Sequence, residues 1–333
     1  MNTTSNTTTA TNANSTSCDN DFSSDGMFLP VLYGFVFCIG LPASCLAIYG
    51  LYRLVKTENI LPVFIMNLLL SDILQISTLP LWIDYYSQGH RWRFGKTSCT
   101  ITGTLFYVSM FVSIGFMCCI AMERYLAVSH PMWFQNPKRL KYTAMLCVGM
   151  WITFTFPALV YLDFSKDHPT SDLCFEDDYP DKKLAMFNLI TMVMIFTPAL
   201  ILLVVLYSAT RRSITKAVSI PDDEKKRINL LLALVLLIFV LVFGPYHVIC
   251  GVKNVLVILQ EDICHFESKI FIHLQIAKGF LSLNSLLDPM LYIFVCKNVR
   301  KEMLASFQRL ASLIDHRKTL QANQTTVTST SKD

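Results

Sequence analysis

The chain has 333 residues, of which 53% are hydrophobic and 16% charged, with 28 Lys and Arg set against 24 Asp and Glu. A water-soluble globule of this size would struggle to keep so much apolar side chain off its surface, so the composition argues against an ordinary soluble domain and points to lipid as the solvent. The net charge of +4 is mild, and no nucleic-acid partner is expected.

Residues 1–27 form a polar segment rich in Thr, Ser and Asn, with no apolar leader, so the first span is expected to direct its own insertion. Three sequons, at Asn2, Asn6 and Asn14, crowd this segment. Their glycosylation requires it to be lumenal and then extracellular.

Seven apolar stretches follow: about Phe28 to Leu54, Leu61 to Tyr85, Thr97 to Val128, Tyr142 to Leu162, Leu184 to Tyr207, Ile228 to Leu256 and Ile270 to Val295. Crossing roughly 30 Å of hydrocarbon takes about 20 mostly apolar residues, a length that each stretch meets. Pro42, Pro80, Pro157, Pro198, Pro245 and Pro289 fall inside them. In a bundle a proline bends a helix while its neighbours satisfy the freed carbonyl, so hinges are expected there. Helices in a bilayer bury their polar groups against one another, so residues 28–296 read as one all-α bundle.

Basic residues set the orientation. With the amino terminus outside, Arg53, Lys56, Lys138, Arg139, Lys141, Arg211, Arg212, Lys216, Lys225, Lys226, Arg227, Lys297, Arg300 and Lys301 all face the cytosol. Arg91, Arg93, Lys96, Lys182 and Lys183 lie on the other side, so the sequons carry part of the argument. After the seventh span, residues 297–313 set Val299, Met303, Leu304, Phe307 and Leu310 against Arg300, Lys301, Glu302 and Arg309. That pattern predicts a short amphipathic eighth helix on the inner membrane surface. Residues 314–333 are polar and read as a disordered cytoplasmic tail.

Four of the eleven cysteines, Cys18, Cys99, Cys174 and Cys264, fall on the outer side, where the redox environment permits two disulfides. Four cysteines allow three pairings, and spacing does not choose among them. Cys38, Cys45, Cys118, Cys119, Cys147 and Cys250 lie inside spans and read as packing residues. No His and Cys cluster has the spacing of a metal site, and no cofactor is expected.

Ionisable groups are costly in hydrocarbon and turn toward the bundle interior. Asp72 and Asp288 lie deep in the second and seventh stretches, with Asn67, Ser71, Ser113, Asn284 and Ser285 at compatible depths. They predict a polar cavity that holds a cation or a shared proton, or else a hydrogen-bonded structural cluster. Glu123, Arg124 and Tyr125 end the third span, where Glu123 can hold Arg124 in one state and release it in another; an ordinary ion pair at the membrane edge is the alternative. Lys253 and Lys278 lie in the outer half. A buried ammonium there wants a carboxylate, either from the protein, such as Asp84, or from a ligand. His90, His168, His265 and His273 lie at the outer rim and His247 just past Pro245, which raises pH sensing, although a lone histidine is more often a packing residue.

Leu70-Ser71-Asp72, Glu123-Arg124-Tyr125, Trp151, Pro198, Phe239 to Pro245 and Asp288-Pro289-Met290-Leu291-Tyr292 occur in order on successive spans. As a set they resemble the rhodopsin-like G-protein-coupled receptors over about residues 28–313. The resemblance implies a Cys99–Cys174 disulfide and Arg124 as the residue that meets the G protein. It also implies a switch built from Glu123, Arg124, Tyr125, Phe239, Phe243, Pro245, Asp288, Pro289 and Tyr292, and a sodium-like site at Asp72, Ser113, Asn284 and Asp288. LPLWIDYY, CCIAMERYLAVSHP, LCFEDDYP, FGPYHV and SLNSLLDPMLY look like the branch that holds proton-sensing receptors and their lysolipid or oxidised-fatty-acid relatives. In that branch the amino-terminal segment is commonly tied to the third outer loop, which implies a Cys18–Cys264 bond.

Several positions depart from the pattern. Ser44 stands where the first helix usually has Asn, and Phe243 where Trp is more widespread. Tyr207 comes nine residues after Pro198 instead of eight. Phe154 and Gln275 stand where acid-sensing members have Glu and some have His. The last two weaken proton sensing, while Asp72 and Asp288 keep it open.

The expectation is a plasma-membrane receptor, not an enzyme, whose ligand enters the outer half of the bundle. Lys253 and Lys278 would meet an anionic group, with Tyr107, Phe111, Tyr246 and His247 lining the apolar remainder. An acidic lipid is the first choice. Protons acting through His265, His273 or Asp288, or basal activity without ligand, are the alternatives. A channel or transporter is a distant one, for which no inverted repeat is evident. Expected partners are a heterotrimeric G protein, membrane lipid, and a receptor kinase and arrestin acting on Ser329, Ser331 and nearby threonines.

Overall fold

A computed structural model of the protein describes residues 25–55, 60–130, 139–164, 174, 182–217, 220–259 and 263–295, with side chains described for these except at 25, 53–55, 161–164, 263–269 and 292–295. Among the described residues seven helices are long and apolar enough to cross a membrane, and none of these residues is in a strand. The helices are α1 (Asp25–Val55), α2 (Leu61–Ser87), α3 (Lys96–Ser129), α4 (Arg139–Phe164), α5 (Lys182–Lys216), α6 (Asp222–Leu259) and α7 (Ile263–Val295).

Each helix contains its apolar stretch, and most run past it. The largest extension is in α5, which continues for nine residues beyond Tyr207 and carries Arg211, Arg212 and Lys216. Hydropathy marks where a helix must be apolar, whereas its backbone hydrogen bonds continue into the polar interface until a capping or chain-breaking signal intervenes. For the same reason α1 begins at Asp25, before the first apolar residues. Helix α2 begins with Leu61-Pro62, where a missing N–H costs nothing. Acidic Asp222, Asp223 and Glu224 occupy the first turn of α6, complementing the partial positive charge of its N-terminus. The α2–α3 turn passes through Gly89 at φ 66° and Gly95 at φ 82°, left-handed conformations that glycine adopts without a Cβ clash.

Helices α1, α2, α4, α5 and α7 run unbroken through their internal prolines. In α6 the turn before Pro245 widens instead, with Phe239–Phe243 forming a π-helical segment between the α-helical pieces Asp222–Ile238 and Gly244–Leu259. Widening of this kind accommodates a residue that lacks an N–H and crowds the carbonyl four residues earlier.

Helix α3 is the central post, in contact with α2, α4 and α5, while α1 packs on α2 and α7. Of the most apolar window in each helix, 72% of α3 is buried and 17% of α4, so α4 stands at the rim and offers most of its surface to lipid. The stretch expected to form an eighth helix, residues 297–313, the tail 314–333 and the segment 1–24 lie outside the described residues.

Candidate functional site

Polar side chains form a seam between α2, α3 and α7. Asp72 and Asp288 are 0% and 1% exposed. Asn284 lies one turn before Asp288, so its amide faces both acids. It donates through Nδ2 to Asp72 Oδ1 at 3.1 Å and to Asp288 Oδ2 at 3.0 Å. Ser285 donates to Gln75 Oε1 at 2.9 Å, and the hydroxyls of Ser71 and Ser113 meet at 2.9 Å. Three of the four residues expected to form a cation-type site, Asp72, Asn284 and Asp288, are therefore joined by hydrogen bonds, while Ser113 bonds to Ser71. Within this seam three buried polar atoms, Asp72 Oδ2, Asn284 Oδ1 and Gln75 Nε2, have no hydrogen-bond partner among the described residues. Two buried carboxylates on one amide, with acceptor oxygens left over, suit a bound cation or a shared proton, because either would relieve both the repulsion and the unmet acceptors.

A stack of rings lies at the α5–α6 contact. Phe239 and Phe243 are fully buried, with centroids 5.6 Å apart. Phe196 stacks on Phe239 at 5.1 Å and on His247 at 4.2 Å. The Phe243 carbonyl lies 2.8 Å from His247 Nδ1. The π segment lies just below Pro245 and both rings are buried, so a swing of α6 about Pro245 would have to repack this stack.

At the other end of α3, Glu123 is 4% exposed and holds two cations. Arg124 Nε donates to its Oε2 at 2.6 Å, and Arg139, from the first turn of α4, approaches its Oε1 at 3.5 Å. Tyr125 packs edge-on against His130 at 6.2 Å.

Toward the amino-terminal end of α3 the bundle holds a cavity of about 90 Å³, whose lining includes Tyr107, Phe111, Asn188, Thr191, Tyr246 and Cys250. Tyr246 interacts with Tyr107 and Cys250 by hydrogen bonding. A smaller cavity of about 20 Å³ lies on the other side of Tyr107, between Tyr33, Trp82, Tyr86 and Lys278. Lys253 and Lys278 both lie within electrostatic reach of Cys250. Tyr107, Phe111, Tyr246 and Lys278 thus meet around one place, while His247 packs in the ring stack beneath it. Asp84, considered as a partner for Lys278, is paired with Arg93 at 2.5 Å. His273 is exposed, and Gln275 is buried and accepts a hydrogen bond from the Tyr86 hydroxyl at 3.2 Å.

Cys99 and Cys174 are joined by a disulfide, and the Cys174 N–H donates to the Tyr85 hydroxyl at 3.3 Å. Among the candidate site residues, Cys18, Asn2, Asn6 and Asn14 lie outside the described residues, as do the side chains of Cys264, His265 and Tyr292.

The sequence profile described as 7 transmembrane receptor (rhodopsin family) matches residues 43–292. The chain belongs to that family. Its curated relatives include G-protein coupled receptor 68 of Mus musculus, 31% identical over 88% of this chain and 80% of the relative. G-protein coupled receptor 183 of Rattus norvegicus is 29% identical, covering 86% and 84%, and G-protein coupled receptor 65 of Homo sapiens is 30% identical, covering 87% and 89%. The protein is therefore a multi-pass membrane receptor of the G-protein-coupled class, and members of its family are signalling receptors.

Three contributors to this receptor's site escaped the sequence reading. Gln75 is a neutral residue in an apolar run and carries no charge to betray its depth. Phe196 is one of 23 phenylalanines, and its place two residues before Pro198 was the only available hint. Arg139 was counted among the loop cations, because hydropathy does not say that its guanidinium turns inward to Glu123.

Proposed function

We propose that this receptor is driven by an acidic lipid, a lysophospholipid or an oxidised fatty acid, bound from outside between α3, α5, α6 and α7. The observation that supports the reading is the position of Lys278. Lys278 lines the smaller cavity together with Tyr107, and Tyr107 also lines the larger apolar one. A carboxylate or phosphate held by a lysine, with an acyl chain among Phe111, Tyr246 and their neighbours, matches this pairing of one charged edge with an apolar slot.

In this reading the amino terminus, with glycans at Asn2, Asn6 and Asn14, faces outward, and Cys18 is tied to Cys264. Residues 28–296 form the signalling bundle, residues 297–313 lie on the inner leaflet, and the tail from residue 314 is the substrate of a receptor kinase and the docking point for arrestin. The receptor acts by changing shape, not by catalysing a reaction. Ligand binding repacks Phe239 and Phe243, swings α6 about Pro245 and opens a cytosolic cleft beside Arg124 and Tyr292 for the G protein. The shift is no larger than the ligand's differential affinity for the two states.

A second-messenger assay in cells, run against a panel of lysophospholipids and oxidised fatty acids, tests the reading. Lys278→Ala is expected to abolish the response to the active lipid while surface expression stays unchanged. A full response in that variant would overturn it. Proton sensing is the second reading, favoured by Asn284 bridging Asp72 and Asp288. It predicts signalling that rises as the medium is acidified without added lipid, and that is altered in Asp288→Asn, His265→Phe or His273→Phe.

A further inference from the structure

The largest of the cavities described here faces outward. A groove of about 640 Å³ runs between α4 and α5 over a floor formed by α3. Its walls belong to membrane-spanning helices, so the groove opens into hydrocarbon. Its volume lies within the range of about 300–1,000 Å³ typical of small-molecule sites. Small residues keep the floor low, with Gly115, Cys118 and Cys119 on α3 and Ala199 on α5. A Cβ added to Gly115 would come within 2.5 Å of the Phe154 ring. Above this floor α4 hardly touches α5, which leaves the mouth open.

Length and charge identify the occupant. Along α3 the groove extends from Ile114 to Leu126, about 18 Å at 1.5 Å per residue. Half of a hydrocarbon core of about 30 Å is about 15 Å, so the groove is as long as the acyl layer of one leaflet. The charged groups of the lining gather at one end. Glu123 and Arg139 line that end together with Tyr142 and Thr143. Glu123 is already shared by Arg124 and Arg139. That makes two cations to one carboxylate, an excess of positive charge at the depth of lipid phosphates.

We propose that the groove seats an acyl chain of an acidic phospholipid from the leaflet at the Arg124 end, with the phosphate held by Arg139 and the Tyr142 hydroxyl. That leaflet is the cytosolic one in the orientation proposed above. Because the phosphate shares Arg139 with Glu123, the bound lipid sits one ion pair away from Arg124 and can bias its release. The site is separate from the outer cavity and does not depend on which ligand binds there.

Photo-cross-linking tests the proposal directly. Full-length receptor is placed in nanodiscs containing phosphatidylserine or phosphatidylcholine with a diazirine in the acyl chain, illuminated, and mapped by peptide mass spectrometry. Phosphatidylserine adducts should concentrate on 145–154 and 194–202, several-fold above those of phosphatidylcholine. Arg139→Gln should reduce that preference about fivefold, equivalent to the roughly 1 kcal/mol that one basic residue contributes near an anionic lipid surface. Thr153→Trp, at an exposed groove residue, should reduce labelling by both lipids. Equal labelling by the two lipids, adducts spread evenly over all lipid-facing helices, or labelling unchanged in Thr153→Trp would each overturn it. So would displacement by cholesterol with no dependence on headgroup. Thermal melting of both variants in the same nanodiscs confirms that any loss of labelling is not a loss of fold.

Discussion

The α2–α7 seam and the α4–α5 face sit in the same hydrocarbon and are built on opposite plans. Along the seam, Asp72, Gln75, Asn284, Ser285 and Asp288 are buried and joined by hydrogen bonds across helices. On the α4–α5 face, small residues, sulfur and ring edges surround a groove. Lipid tails are as apolar as leucine, so burying apolar area between two helices adds little driving force in a membrane. Helices with polar groups to satisfy are therefore drawn into one register, while helices without them are held by shape and leave openings that lipid can fill. The seam restrains the conformational state, and the outer face responds to the membrane around it.

The sharpest way to break this contrast is at Glu123, where the two regions meet. Glu123→Gln replaces charge-assisted hydrogen bonds with neutral ones, a loss of about 1–2 kcal/mol or a 5–30-fold shift in population. Basal nucleotide exchange on a G protein in nanodiscs should rise by that order. An unchanged rate would mean that the ion pair does not restrain Arg124. Next in size is Asn284→Leu, which removes the donor shared by two buried carboxylates at a cost of about 1–3 kcal/mol. It should lower the melting temperature in detergent, and addition of Asp288→Asn should restore much of the loss, because one of the two orphaned charges is gone.

The α4–α5 face should respond to volume instead of polarity. Gly115→Val would force Met150 and Phe154 aside, and overpacking of that kind costs about 1–3 kcal/mol. Met150→Ala in the same chain should recover stability if the penalty is steric. The smallest effect is expected at Ser71→Ala, which removes the 2.9 Å contact with Ser113. Interhelical hydrogen bonds in membranes average about 0.6 kcal/mol, so its melting temperature should barely move. A large drop would show that Ser71 and Ser113 act through the cluster around Asp72.

Much of the site could be read from residue order because membranes penalise charge. Asp72, Asp288, Arg124 and Lys278 stand out in apolar runs, and all but Lys278 sit in the recognisable motif set that placed the chain in its family. What they touch was not readable. Asn284 was expected in one site with Asp72 and Asp288, but not as the single amide that donates to both acids. His247 was expected beside the ligand and instead stacks on Phe196, since a helical turn past Pro245 can face either the cavity or α5 depending on the π segment below it. Trp151 was one motif residue among several. Its indole N–H reaches Asn67 on α2 at 3.1 Å and is part of what holds the rim helix α4 in place.

The sequence by itself determined the solvent, the number of spans and the depth of each ionisable group, because transfer into hydrocarbon is a property of each residue and sums along the chain. Only the tertiary structure decided that one amide serves two acids, that Glu123 divides itself between Arg124 and Arg139, and that a groove of about 640 Å³ opens to lipid. These depend on the rotation of each helix about its own axis and on the gap between neighbours. Packing sets both collectively, and no single stretch of sequence encodes either.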